Sequence, residues 1–576
     1  MSSKPDLDVL FGGAMDYMDR PGISGNHLRL SEEQVEMLRG AGCTSGDWSL
    51  VAASPESDLG VVRKCRFEGR VNLSLVPVTL NGETVEPLLA DSSLENVDVG
   101  PGCRVESVGL LRNVVLEEGV RIRRCGVVTF TGGAACGNLQ KLELGVETGE
   151  RNVGSLLMLD VDTAYALSGG EDRLSLIRAY RKGLEKFSGF LAGIRKGRIC
   201  REARLVDTGV IEDCFIGSGA VVDNAVAVRN SMLMDGAVVM DGALVRNSIM
   251  KRGSMVDSMA VVERSMVGEA ALVERHGKLV ASFLGPNSVL GGGEITASLV
   301  GPFTSCHHQS LLIAARWPMG RGNVGYGANV GSNHTSRLPD QEIRPGEGMF
   351  FGLACSVKFP SDFSGAPYTI IATGITTLPQ RVEFPFSLIC QPFVRPEGVP
   401  PAYNQIIPGW MLYRNMYALA RNERKFAERN RASRWRPRET RIIRAETVEM
   451  MLKALDRLQV ETTADFYTDG EIPGLGKNFM TEEDRRSAME AYRFHVDLFV
   501  LEKLLEEGVA PEEEDLVSSL AEKRFRGRSK REMKELLNEM KARMAFMIEE
   551  SRKRDDARGA AVIDDYLLVR KERGGV

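Results

Sequence analysis

From Cys214 onward the apolar residues of this chain recur at intervals of six. Laid out in blocks of seventeen, the third, ninth and fifteenth positions are Leu233, Val239 and Val245, then Met250, Val256 and Val262, then Val267, Val273 and Leu279. Two residues before most of them stands something small: Ser231, Ala237 and Ala243, or Ser248, Ser254 and Ala260. Gly219, Gly236 and Gly253 fall at the first turn of their blocks. Period six fits neither a helix face at 3.6 nor a simple alternating strand. It fits a chain that makes a short strand, turns a corner and does so three times per coil. One apolar side chain per strand then points at the axis, and small residues fill the corners. The spacing predicts a parallel β-helix of 17–18 residues per coil, against the weaker alternative of a β-sandwich with regular turns.

The same template appears earlier, in Val99, Val105 and Leu111 and then in Leu116, Ile122 and Val128. The β-helix is therefore expected over 65–390, after an amino-terminal segment 1–64, with an insertion at about 140–205. Within the insertion, "EDRLSLIRAYRKGLEKFSGFLAGIRKG" spaces Leu174, Ile177, Tyr180, Leu184, Phe187 and Leu191 as one helix face. Beyond 390 the pattern turns to amphipathic helices, such as "WMLYRNMYALARNERKFAERNRASRW" and "TEEDRRSAMEAYRFHVDLFVLEKLLEEG". Residues 391–576 are expected to form a helical domain.

Composition narrows the function classes. A net charge of −5 argues against a dedicated nucleic-acid binder. The basic run "RNERKFAERNRASRWRPRETR" interleaves its arginines with Glu423, Glu428 and Glu439, which suits a solvated helix face. The amino terminus lacks a secretory pattern, and no apolar stretch approaches a membrane span. Ten cysteines without a CxxC pair suit reduced thiols in a cytoplasmic protein.

Candidate chemistry gathers late in the coil. Of six histidines, His307, His308 and His334 lie close in sequence. Cys306 takes the ninth position of its coil, so His307 and His308 fall at the following corner. That corner is Gly291–Gly293 one coil below and Gly331–Ser332 one coil above, and a slot between small residues is expected. The stretch "ARWPMGRG" is expected to leave the coil as a loop carrying Arg316, Trp317 and Arg321. A second excursion, "GSNHTSRLPDQEIRPGEG", adds Asn333, His334, Arg337, Asp340 and Glu342. Histidines, a carboxylate and arginines around a slot can hold an anionic substrate and a general base. None of the cysteines stands in surroundings that favour a catalytic thiolate.

The combination "CHHQSLLIA", "GSNHTSRLPDQEIRPGEGMFFGL" and "PFSLI", with the opening "LSEEQVEMLRGAGCTSGDWSLV" and the segment "VETGERNV", resembles an uncharacterised bacterial family. Its core is a hexapeptide-repeat left-handed β-helix of the trimeric acyltransferase type. The resemblance implies acyl transfer from acyl-CoA or acyl-carrier protein to a hydroxyl or amine of a small molecule such as a sugar nucleotide. It also implies a corner histidine as base (His307, His308 or His334) and a homo-oligomer, expected as a trimer. Asn333, Arg337, Asp340, Arg316, Glu147 and Arg151 are the candidate substrate contacts, although a salt bridge would explain Glu147 and Arg151 equally well. Two alternatives stand beside this one. In the first, His307, His308 and His334 hold a divalent metal, as in the β-helical carbonic anhydrases; in the second, the coil is a non-catalytic sugar-nucleotide sensor or scaffold.

Overall fold

In a computed structural model, which describes residues 5–19, 23, 26–146, 149, 151–169, 173–331, 342–435, 440–461 and 463–572, the chain is a parallel β-solenoid with a helical insertion and a carboxy-terminal helical region. The solenoid makes about 19 turns over 51–389. The chain divides into two compact units. The first is 1–321 with 334–342 and 431–436; the second is 322–333, 343–430 and 437–576.

In the first unit each coil contributes three short strands to three parallel sheets. Leu233 pairs with Met250, Val239 with Val256 and Val245 with Val262, each seventeen residues on. All six side chains are fully buried, as the six-residue spacing requires. The strands are short because most corners hold a left-handed residue. In the coil from Ser231 these are Gly236, Asp241 and Asn247, with φ of 67°, 50° and 52°. Glycine, asparagine and aspartate tolerate that conformation best, which explains their recurrence at corner positions.

The serine that leads each block is a second device. Ser248 Oγ donates to the Arg246 carbonyl at 2.6 Å and accepts the Ser265 amide at 3.1 Å. Ser265 Oγ repeats this with Glu263 and Ser282, and Ser282 Oγ with Val280 and Ser298. A ladder of hydroxyls thus climbs the inside of one corner, satisfying buried amides that the left-handed turn leaves without a strand partner. Ser265→Ala removes the acceptor of the Ser282 amide. It is expected to cost about 1–3 kcal/mol, the range for an unsatisfied buried donor. The urea midpoint and the hydrogen-exchange rate of the Ser282 amide check this.

The coil begins earlier than expected. Thr44–Ser45 and Val51–Ala53 already stack in register on Arg66–Glu68 and Val71–Leu73. The insertion does not disturb the register, since Leu116 pairs with Ile199, Ile122 with Leu205 and Val128 with Ile211 across it. Its helix Arg173–Gly193 buries Tyr180, Phe187 and Leu191, while Leu174, at the start of the same stripe, stays exposed. Phe11 of the helix Leu7–Met18 packs on Tyr180, ring centroids 5.4 Å apart.

The expected loop at "ARWPMGRG" is absent. Arg316–Trp317 is a coil strand paired with Leu299–Val300, and Trp317 is the fully buried inward residue of its coil. A tryptophan at a position usually filled by Val or Leu disguised the register.

In the second unit, Val324, Phe351, Ile371 and Ile389 stack as successive inward residues. Asn404–Ile407 then pairs antiparallel with Leu388–Cys390 and parallel with Asn478–Thr481. The helices Met416–Glu428, Ala445–Arg457, Glu482–Glu502 and Lys530–Ala560 make up most of the rest. Short strands among them depart from a purely helical domain. The helix expected to run through "RASRW" stops at Glu428, and residues 431–435 form a strap, neither helix nor strand, that belongs to the first unit. Among the described residues, no helix is long and apolar enough to cross a membrane.

Candidate functional site

His307 ends the strand Ser305–His307 and pairs with Gly291, which in turn pairs with Glu274. The three stack in one column, and the glycine leaves the space between the other two side chains open. A Cβ built on Gly291 would lie 3.2 Å from His307 Nδ1 and 3.3 Å from Glu274 Oε1. The imidazole and the carboxylate therefore face a common gap. Partial burial pushes the His307 pKa down, and His308 adds to this; Glu274 pulls the other way and Arg275 again lowers it. His307 is consequently neutral over more of the pH range than a solvated histidine.

His308 is exposed and sits in the left-handed corner at φ 53°, followed by Gln309 at 60°. The two rings are tilted with centroids 5.9 Å apart. Gly291 lies on the lower side as expected, but Gly331 is not the residue above. Val330 falls in the sheet of Leu312 and Val324 in the sheet of Cys306, because Arg316–Trp317 is itself a strand of the coil. The backbone amides of the corner are not open donors. His308 N–H donates to Gly291 O, Gln309 N–H to Gly292 O and Gly292 N–H to Glu274 O. They hold adjacent coils together, so an acyl oxyanion cannot count on them. Gly331 belongs to the second unit, and Ser332, Asn333, His334, Arg337 and Asp340 lie outside the described residues, as does Glu147.

Arg316 and Arg151 come together, away from the surface. Arg316 is buried, with Nε on Ser168 Oγ at 3.2 Å and Nη2 on the Tyr165 carbonyl at 2.9 Å. Its guanidinium lies 3.9 Å from the centre of the Tyr165 ring. Arg151 donates to the Ser168 carbonyl at 2.8 Å and forms a two-pronged pair with Glu342. Gly145 makes room for this cluster, since a Cβ there would come within 3.2 Å of Arg316 Cβ. Both arginines fasten the helix Val161–Ser168 of the insertion to the coil.

Glu274 was not among the candidates drawn from the sequence, yet it was legible. It stands seventeen residues before Gly291 and follows the ninth-position Val273 as His307 follows Cys306. Among the described residues, no three His, Cys, Asp or Glu side chains are grouped as a metal ion would need.

Solenoid and corner together define a parallel β-solenoid with a half-buried histidine beside a glycine at one corner. The chain belongs to the family described as domain of unknown function DUF4954, whose model matches residues 27–391. It is 24% identical over 477 residues to an uncharacterised protein of Treponema pallidum (strain Nichols), covering 79% of this chain and 63% of that one. This chain therefore aligns with less than two thirds of that relative's length. A provisionally assigned acetyltransferase from Desulfovibrio desulfuricans G20, known from a crystal structure, matches at 12% identity. The match covers 66% of this chain and 76% of that one, with a TM-score of 0.16. A score that low carries no argument about activity.

Proposed function

We propose that the His307 corner catalyses acyl transfer from a thioester, acyl-CoA or acyl-carrier protein, to the hydroxyl or amine of a small molecule. The observation that carries this reading is a half-buried imidazole held opposite a carboxylate across the side-chain-free Gly291. His307 takes the proton of the acceptor as its oxygen or nitrogen attacks the thioester carbon. The tetrahedral adduct then breaks its carbon–sulfur bond, and the imidazolium returns the proton to the departing thiolate. Glu274 stabilises the imidazolium between these events. It is a positioning residue, since its action passes through His307. The acyl donor is a substrate, so no resident cofactor enters the scheme, and a homotrimer belongs to the same reading.

The test uses the full chain with acetyl-CoA as donor and glucosamine as acceptor probe, following release of the coenzyme A thiol. His307→Ala is expected to lower turnover at least about a hundredfold, in the range for loss of a general base, with an unchanged urea midpoint. Glu274→Gln should leave measurable turnover and move the acid limb of the pH profile downward, because the carboxylate raises the His307 pKa. Wild-type turnover that survives His307→Ala, or no turnover in the wild type, overturns the proposal. Stoichiometric zinc or iron in the purified protein, lost with His307→Ala, would favour the metal alternative.

A further inference from the structure

A different corner of the first unit carries a ladder of charges. Ser218, Asp235, Arg252 and Glu269 occupy the same position in successive coils, each stacked on the last through backbone hydrogen bonds of that corner. Asp235 accepts from the Tyr17 hydroxyl at 2.7 Å, the Ser218 amide at 3.2 Å and Arg252 Nη1 at 2.8 Å. Arg252 also lies over the Tyr17 ring, 5.3 Å from its centre. Glu269 accepts four bonds of 2.7–2.9 Å from three consecutive residues: Ser433 N–H and Oγ–H, Arg434 N–H and Trp435 N–H.

Three segments outside the solenoid converge on this corner. The helix Leu7–Met18 brings Tyr17, and the insertion brings Met158 and the Leu159 carbonyl, to which Lys251 Nζ donates at 2.5 Å. The third segment is the strap 431–435. It is pinned to three successive coils: through its backbone by Glu269 and by Asn287 accepting the Arg431 amide at 2.8 Å, and through its side chain by Phe303 against Trp435, with ring centroids 5.6 Å apart. Two clefts open where these segments meet. One, of about 470 Å³, is lined by Arg252, Arg431 and Ser433 over a floor of Gly236, Gly253 and Ala270. The other, of about 450 Å³, is lined by Tyr17, Asp16, Met158 and Arg434. Asp235 and Arg252 border both. Each is within the size range of small-molecule sites.

The charges are unevenly spent. Asp235 and Glu269 are saturated by the bonds above, so neither offers an open carboxylate. Arg431 and Arg434 project from a pinned backbone, and among the described residues neither guanidinium has an ion-pair partner. A fixed strap that presents one uncommitted guanidinium to each of two clefts, both bordered by Arg252, suits an anion. Asp16 at the second cleft suits a hydroxyl or amine on the same molecule.

We propose that this corner binds a small organic anion, a phosphate or carboxylate on a hydroxylated body, held by Arg431 and Arg434 of the strap with Arg252 beneath. The site is separate from the His307 corner and does not depend on its chemistry.

Titration calorimetry on the full chain with glucose 6-phosphate, glucuronate and glucose tests it. One or both anions should bind at millimolar or lower concentration, and glucose should not. A tighter phosphate than carboxylate assigns the ligand to phosphate esters, and the reverse to carboxylates. The pair Arg431→Gln and Arg434→Gln, both exposed, should weaken the anion at least tenfold without moving the unfolding midpoint. Arg424→Gln, on an exposed helix face, and His307→Ala should leave the affinity as it was. Failure of both anions to bind overturns the proposal. So does binding that the double variant leaves intact, or that Arg424→Gln weakens equally.

Discussion

Arg444→Met is expected to destabilise the second unit by about 3–5 kcal/mol, the range for breaking a buried ion pair from one side. Arg444 and Glu347 keep 9% and 6% of their side-chain surface exposed, so neither is solvated. Two guanidinium nitrogens reach the Glu347 carboxylate at 2.5 and 3.2 Å, and the Tyr368 hydroxyl donates to it at 2.9 Å. Tyr368 in turn stacks on Phe386 at 5.4 Å. Methionine fills the volume of arginine but removes the guanidinium that neutralises the buried Glu347 carboxylate. Adding Glu347→Leu to Arg444→Met should recover much of the loss, because the buried carboxylate that Arg444 neutralised is then gone. Differential scanning calorimetry of the single and double variants checks both statements; a double variant no more stable than the single one would contradict this account.

Val239→Asp is expected to cost at least about 3–5 kcal/mol, since it places an unpaired carboxyl group on the axis of the solenoid. Val222, Val239 and Val256 stack on one another with no exposed surface. Because each coil contacts mainly its neighbours, the damage should concentrate in the coils holding those three residues. Hydrogen exchange should show protection lost there and kept at the far coils. Val238→Asp, one residue away on the outward face, should cost less than about 1 kcal/mol. The contrast between adjacent positions is the measurement that matters, for it reports the inward face directly.

The coil itself was legible because its information is local. A left-handed corner wants Gly, Asn or Asp, an inward position wants a branched apolar residue, and each requirement repeats with the coil. Leu233, Val239 and Val245 therefore announced their burial without any knowledge of their partners. The His307 corner was legible for the same reason, since a column of Glu274, Gly291 and His307 follows from counting residues. Counting fails at Trp317, whose bulk hides its place in the series. The spacing therefore predicts a loop where Arg316 stands in a strand, and it sets Val330 rather than Val324 in the row of Cys306.

The charge ladder of Asp235, Arg252 and Glu269 was also open to counting, but its meaning was not. Asp235 is completed by Tyr17, more than two hundred residues earlier, and Glu269 by Ser433, 164 residues later. Nothing periodic marks those partners. The segment through "RASRW" carries helical spacing and folds as a strap, because three backbone amides find a carboxylate that an isolated helix could not offer them. Sequence by itself thus determined the solenoid, its corners and the column under His307, all of which rest on conformational preference and side-chain size repeated at short range. Which corner the added segments cover, and which charges they leave open, was decided by contacts between distant residues, where the free energy comes from pairing groups that the chain brings together only once folded.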